Sequence, residues 1–313
     1  MKDNILKKIS YELQFKNTQY YKRVKDKVLK THYQRVLKKR LLSLPPLATA
    51  KEGAPLTLAI LANKRNFYES VAAIYSFGFW NKNIYINYHE DGTLTEHDIS
   101  VLKNIFPNIN IFKRVTQDQI IGEYLINEGF HNSAHLRNNF VLSLKLIDTV
   151  FNKKSKYLLL IDSDVLFFSR PNEILDIVEN GTFNGCYNKD VTDAYCFSIE
   201  MMDKYLPAPI VSRFNSGVFL YNFDVDFFHF VESILKNEKM SSIPWHIEQT
   251  LFAMYVTKVG NYKDLPETYD VCRIERSLGN KIISEHYTHN TGFDIHKDFI
   301  YKIYPQIINK NHR

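Results

Sequence analysis

The apolar positions of this chain change their period near residue 56. Through residues 1–43 they recur at helical spacing: Ile5, Ile9 and Leu13, then Tyr21, Val24 and Val28, then Val36, Leu37 and Leu41. Neither Gly nor Pro interrupts them, and basic residues fill the gaps. Pro45 and Pro46 end the pattern, and LATAKEGAP reads as a linker. From there the pattern predicts short buried strands alternating with helices. TLAILA (57–62), NIYINY (83–88), INIFKR (109–114) and the apolar run 157–161 read as strands. Residues 66–79, 95–105, 117–128 and 133–151 read as helices. This alternation implies an α/β fold with a mostly parallel sheet covered on both faces. Farther on, FNGCYN (183–188), AYCFS (194–198) and FNSGVFLYN (214–222) read as strands. Residues 225–236 and 244–256 read as helices, the first capped by Asp224 and the second opened by Pro244. The end of the chain, SEHYTHNTGFDIHKDFIYKIYP, is aromatic, His-rich and short of regular pattern. The organisation is thus a basic helical extension and linker over 1–50 and one domain over 51–313.

One strand runs into two acids. In KYLLLIDSDVLFF (156–168), apolar residues flank Asp162-Ser163-Asp164 on both sides. Carboxylates in such surroundings need a partner, a hydrogen bond or a metal. Placed at the carboxyl end of a sheet strand, they stand where open α/β sheets bind ligands. Side chains at i and i+2 of an extended segment point the same way, so both acids could meet one Mg²⁺ or Mn²⁺. A strand followed by a polar turn is the plainer alternative.

Composition narrows the function classes. With 313 residues, 45% of them hydrophobic, the chain has ample material for a core and does not read as disordered. Its three cysteines, Cys186, Cys196 and Cys272, form no CxxC spacing and no even disulfide set, which argues for a reducing compartment and against a zinc site. No bilayer-length apolar run and no signal peptide is present, so a cytoplasmic setting is expected. The charge is uneven. Residues 1–50 carry 13 Lys+Arg against 3 Asp+Glu, a net of +10; the whole chain is +6, leaving −4 for the rest. The basic arm therefore suits packing on the body or a homo-oligomer first, the anionic inner face of a membrane second, and nucleic acid hardly at all.

Taken in order, several pieces resemble a known family. LAILANKRN is a strand ending in a polar loop; LSLKLIDTVF is a helix with a basic residue; LLLIDSDVLFF carries the acids. RPNEIL, FNSGVFLYN, EQTLF and the late His286-Tyr287 follow. This series, across about residues 56 to 300, is similar to the nucleotide-sugar glycosyltransferases of the GT-A fold, and most to the glycogenin-like family 8. The segment EDGTLTEHDISVLKNIFPNI also looks like its bacterial members. The chain departs from the family in three ways. Leu166-Phe167-Phe168 follow the acids where smaller or β-branched residues are usual. Glu248 stands where the family has Asp. The Lys-Pro-Trp after the late His is missing, with Gly292 and Lys297 the nearest stand-ins.

The resemblance implies a GT-A (Rossmann-like) mixed, mostly parallel sheet flanked by helices, and a metal-dependent transfer of sugar from a UDP-sugar with retention. The acceptor would be a glycan, a lipid-linked sugar or a protein. Asp162, Asp164 and His286 would hold Mn²⁺ (or Mg²⁺), with His289 and His296 as fallback ligands. Ala62, Asn63 and Arg65 would meet the base and ribose, with Asp162 and Ser163 beside the nucleotide. Arg137 and Lys145, two helical turns apart, would reach the diphosphate or the sugar. Asn215, Glu248, Gln249 and Asp193 would act on the sugar, with Gly217 allowing close approach and Asp190 a further candidate. For Glu248, plain helix capping is an equal reading, and for Arg137 a solvated helix face nearly so. Two other functions stay open: a nucleotidyltransferase, although ANKRN lacks the Gly-rich phosphate loop, and a non-catalytic protein that binds nucleotide-sugar.

Overall fold

The computed structural model describes residues 25–238, 243–271, 282–288 and 294–311. Helix α1 occupies residues 25–42, so the first half of the predicted basic arm lies outside the described residues. Then follow β1 (Leu56–Ala62), α2 (Phe67–Gly78), β2 (Ile84–Glu90), α3 (Glu96–Ile105), β3 (Ile109–Phe112), α4 (Arg114–Asn127), α5 (His131–Asn139), α6 (Ser143–Leu146), α7 (Asp148–Phe151) and β4 (Tyr157–Ile161). After the acids come β5 (Val165–Phe167), α8 (Asn172–Asn180), β6 (Gly185–Lys189), α9 (Ile199–Asp203), β7 (Phe214–Tyr221), α10 (Asp226–Asn237), α11 (Ile247–Val259), β8 (Tyr262–Asp264), β9 (Tyr269–Val271) and β10 (Ser284–His286). Helix α12 (Asp294–Asp298), a π turn (Phe299–Ile303) and α13 (Tyr304–Asn311) complete the chain.

Seven strands form one sheet in the order β3-β2-β1-β4-β7-β6-β8. All run parallel except β7, which is antiparallel to both neighbours. The sheet is buried on both faces, as the unbroken apolar strands predict. Tyr157, Leu159 and Ile161 of β4 face a core shared with α1, α2, α3 and the C-terminal helices. Leu158 and Leu160 face a second core built with α4, α5, α10 and α11. Period 2 along one strand thus supplies two hydrophobic layers. A small sheet, β5-β10-β9, stands beside the acids.

The N-terminal extension is tied to the body. Leu37, Leu41, Leu44 and Leu47 are buried in the first core, and Arg40 lies over the Tyr304 ring at 4.6 Å. Lys39 keeps its exposure, and Lys38, also exposed, lies over the Tyr68 ring of α2 at 5.3 Å. Two segments differ from their predicted form. The helix expected over 133–151 is three short helices, because the chain turns at Phe140–Leu142 with no Gly or Pro to mark it. Residues 194–198 are irregular; Tyr195 and Phe197 pack against the second core from a loop, and not from a strand.

Candidate functional site

The reversed direction of β7 builds the site. Strand β4 ends at Ile161, and its partner there is Val218, midway along β7. The next backbone bond carries the pairing onward: Asp162 N–H donates to the Gly217 carbonyl at 2.9 Å. The polar start of β7 is thereby laid against the acids at the carboxyl edge of the sheet. Between Asn215 and Phe219, β7 carries three residues that face no residue of β6, so the strand swells toward this edge. After Asp162 the chain turns, with Val165 N–H bonded to the Asp162 carbonyl, and enters β5. Strand β10 pairs with β5 so that His286 faces Val165, and Tyr287 N–H donates to the Asp164 carbonyl at 2.9 Å.

Three ligand atoms converge as a result. Single atoms of Asp162, Asp164 and His286 lie within 4.8 Å of one another. His286 Nε2 is 3.5 Å from Asp162 Oδ2 and 3.3 Å from Asp164 Oδ1. The ring's other nitrogen is held from behind. Asn215 Nδ2 donates to Asp190 Oδ2 at 2.8 Å, and Asn215 Oδ1 accepts from Gly217 N–H at 2.9 Å, which settles the orientation of the amide. Asn215 Oδ1 is then an acceptor for His286 Nδ1 at 3.1 Å. The neutral ring therefore carries its proton on Nδ1 and turns the Nε2 lone pair to the carboxylates, the arrangement of a metal-ligating histidine. Gly217 makes room for it: a Cβ there would stand 2.2 Å from His286 Cε1. Two carboxylates and one imidazole fit a divalent cation, and the nitrogen favours Mn²⁺ over Mg²⁺.

A second charged group is buried behind the acids. Lys145 Nζ is 2.7 Å from Asp162 Oδ1, 3.6 Å from Glu248 Oε1 and 3.4 Å from Ser216 Oγ. Burial alone would lower its pKa, but Asp162 and Glu248 outweigh that and hold the ammonium well above its usual value. Glu248 is pushed up by burial, partly offset by Lys145. Its Oε1 is buried without a hydrogen bond. For Asp164, burial acts upward, but His286 prevails and keeps the carboxyl low; for His286, burial acts downward, but Asp164 and Asp162 keep the ring high.

These groups line one cleft of about 500 Å³. Ala62, Asn63 and Ser163 line it as well, as do Asn215, Gly217, Glu248 and Gln249. Asn63 also shapes the backbone beside it, since its Oδ1 accepts from Arg65 N–H and Asn66 N–H and caps a 3-10 turn over Lys64–Asn66. Asn66 Nδ2 in turn donates to Ser163 Oγ at 2.6 Å and links β1 to the acidic turn. Gln249 bridges Ala194 O and Ser216 N–H.

Other expected residues lie elsewhere. Arg137 is fully buried and gives two hydrogen bonds to Asp148, at 2.7 and 2.8 Å, and one to Asp118 at 2.7 Å. The break at Phe140–Leu142 also removes the shared helix face expected for Arg137 and Lys145. Arg65 is exposed and borders a groove between α1 and α2. Asp193 accepts from Arg213 N–H and Ser212 Oγ away from the cleft, and Asp190 takes the place beside Asn215. His296 pairs with Glu69 at 2.7 Å, and Lys297 lies over Tyr33. His289 and Gly292 lie outside the described residues. The structure adds Asn66, Asp91, Trp245 and His246 to the cleft. Asp91 had a usable signal, since its turn closes a strand at the carboxyl edge.

No protein-family model matches the chain, and no curated protein matches its sequence. Solved structures match its fold. One is WbbM, described as a bifunctional glycosyltransferase in apo form, with TM-score 0.54 and 14% identity over 84% of this chain and 52% of that one. This chain thus spans about half the length of WbbM. Another is the galactosyltransferase LgtC in complex with donor and acceptor sugar analogs, with TM-score 0.50 and 13% identity over 81% of this chain and 95% of that one. An active-site mutant of LgtC matches with TM-score 0.51 and 12% identity over the same shares, 81% and 95%. Among the described residues no helix is long and apolar enough to cross a membrane. The seven-stranded mixed sheet, its one reversed strand beside the acids and these likenesses show that the chain has the GT-A glycosyltransferase fold.

Proposed function

We propose that this chain is a metal-dependent glycosyltransferase that moves a sugar from a UDP-sugar to a glycan, lipid-linked or protein acceptor, with retention. The observation that carries the reading is the convergence of Asp162, Asp164 and His286 in the same cleft as buried Lys145 and Glu248. WbbM and LgtC, both named as glycosyltransferases, support it at the level of the fold.

Asp162, Asp164 and His286 would hold a divalent cation, which would supply positive charge for a diphosphate leaving group. The chain's own residues do the rest. Asn215 and Asp190 keep the Nε2 face of His286 toward the carboxylates. Lys145, held cationic by Asp162 and Glu248, adds a fixed positive charge in a site where little water screens it. Glu248, which lines the cleft with its Oε1 turned to Lys145, is placed to accept from a sugar hydroxyl or to face a developing cationic carbon. Ala62, Asn63 and Ser163 form the nucleoside side, at the ends of β1 and β4. A lipid-linked acceptor would put a cytoplasmic enzyme at the inner face of a membrane, where the exposed cations of α1 suit anionic headgroups.

The test is donor hydrolysis. Purified protein is incubated with UDP-, GDP- and CMP-sugars and Mn²⁺, and free nucleotide is measured. Metal-dependent release from one donor, abolished by chelator and by Asp164→Ala, is the expected result, and the anomer formed reports the stereochemistry. Pyrophosphate release from a nucleoside triphosphate and a sugar phosphate would replace the reading with a nucleotidyltransferase. Nucleotide binding without turnover of any donor would replace it with a binding protein.

A further inference from the structure

One residue of the cleft is out of keeping with the rest. Trp245 is 68% exposed, although indole is among the costliest side chains to leave in water. It is not loosely carried. Pro244 precedes it, and the Ile247 N–H bond to the Pro244 carbonyl at 3.2 Å closes the turn that bears it. Phe140 meets the indole edge-on, with ring centroids 6.2 Å apart and planes at 80°. A wall is thereby set behind the ring. Exposed Val141 stands on the same lip.

Its place along the sheet edge limits what it can meet. The nucleoside side of the proposed site is at β1; the acids follow at β4; the Asn215 side follows at β7, against which α11 packs. Trp245 lies two residues before α11 and three before Glu248, so it enters the cleft from the side of the sugar-facing groups. An alkyl chain would need a long apolar trough, but beyond Phe140, Val141 and Leu142 the cleft that this ring borders is lined mainly by polar side chains, among them Lys145, Asn215, Glu248 and Gln249. A pyranose ring matches better. It presents one face of C–H groups to an aromatic plane and a rim of hydroxyls to polar side chains.

We infer that Trp245 is the stacking platform for the acceptor, and that the acceptor is a glycan whose terminal pyranose ring lies on the indole beside Glu248. This rests on the glycosyltransferase reading and narrows its acceptor to a sugar.

Trp80 and Trp245 are the two tryptophans, so in a Trp80→Phe background the indole emission reports Trp245 alone. The methyl pyranosides of glucose, galactose and N-acetylglucosamine, and lactose, would be titrated in with UDP and Mn²⁺ present. At least one should shift the emission saturably. With that sugar as acceptor, Trp245→Ala should raise the acceptor KM about tenfold, and Trp245→Phe, which keeps a ring, should recover most of the loss. Thermal melting of each variant checks its fold. If the protein hydrolyses a donor but no pyranoside moves the emission, the platform is refuted. A response to octanol and to no pyranoside would replace it with a lipid contact. If the wild type neither binds nucleotide nor hydrolyses any donor, the glycosyltransferase reading falls, and this inference with it.

Discussion

Gly217→Ala tests whether the backbone at the start of β7 sets the geometry of the metal ligands. A Cβ at this position would lie 2.2 Å from His286 Cε1, 2.3 Å from Nδ1 and 2.8 Å from Asn215 Oδ1. Ordinary contact begins near 3.4 Å, so the imidazole or the strand must move by roughly 1 Å. Protein–metal distances tolerate only ~0.2 Å, so a displaced ring no longer ligates together with Asp162 and Asp164. The same methyl breaks the support that Asn215 gives to Nδ1, and loss of such support costs about 10–100-fold in metal affinity. Overpacking should also lower stability by about 1–3 kcal/mol. Mn²⁺ binding is measured by calorimetry and stability by urea unfolding, for Gly217→Ala, His286→Ala and the double variant. If the methyl acts through the ring, the double variant binds Mn²⁺ as weakly as His286→Ala, and its stability loss is less than additive because the ring is gone. Wild-type Mn²⁺ affinity in Gly217→Ala, or fully additive losses in the double variant, would refute the reasoning.

His89→Phe should remove a pH dependence of stability. Buried His89 stacks on Phe112 at 4.8 Å with neither ring nitrogen hydrogen-bonded, and burial, aided by Arg137, lowers its pKa from 6.5 to about 3. The folded state thus resists the proton that the unfolded chain accepts: its stability is full above pH 6.5 and falls as pH drops toward 3, by about 2 kcal/mol at pH 5. Urea unfolding at pH 5 and pH 7.5 should show this loss in the wild type and not in the variant; parallel losses would locate the effect elsewhere. Arg137→Met should cost about 3–5 kcal/mol, because it strands Asp148 in the core. The folded variant should keep its nucleotide affinity; lost nucleotide binding at unchanged stability would return Arg137 to the donor.

What could be read from the sequence was local. Apolar runs such as TLAILA and YLLLI marked the strands, and the acids between apolar flanks marked the edge where the cleft lies. Arg137 shows where this stops. Its spacing from Lys145, two helical turns, suggests a donor-binding residue, while Asp148 and Asp118, 11 and 19 residues away, hold it in the core. Asp190 and Asp193 share one loop and one chemistry, and only the register of β6 against β7 decides which of them meets Asn215. The break at Phe140–Leu142 carries no Gly or Pro, yet it places Phe140 against Trp245.

Strand direction is the strongest case. FNSGVFLYN announces a strand with a polar start, but a polar start can sit at either edge of a sheet. β7 has eight residues, so had it run parallel to β4 in the same place, Asn215 would stand opposite Leu159, about 17 Å from its present position beside the acids. His286 would then have no amide to orient its Nδ1. Because β7 runs backwards, its first four residues join the acids, and a motif that is an ordinary turn by composition becomes the support of the third ligand. The candidate chemistry of this chain therefore depends on the reversal of a single strand as much as on the residues that sequence comparison would single out.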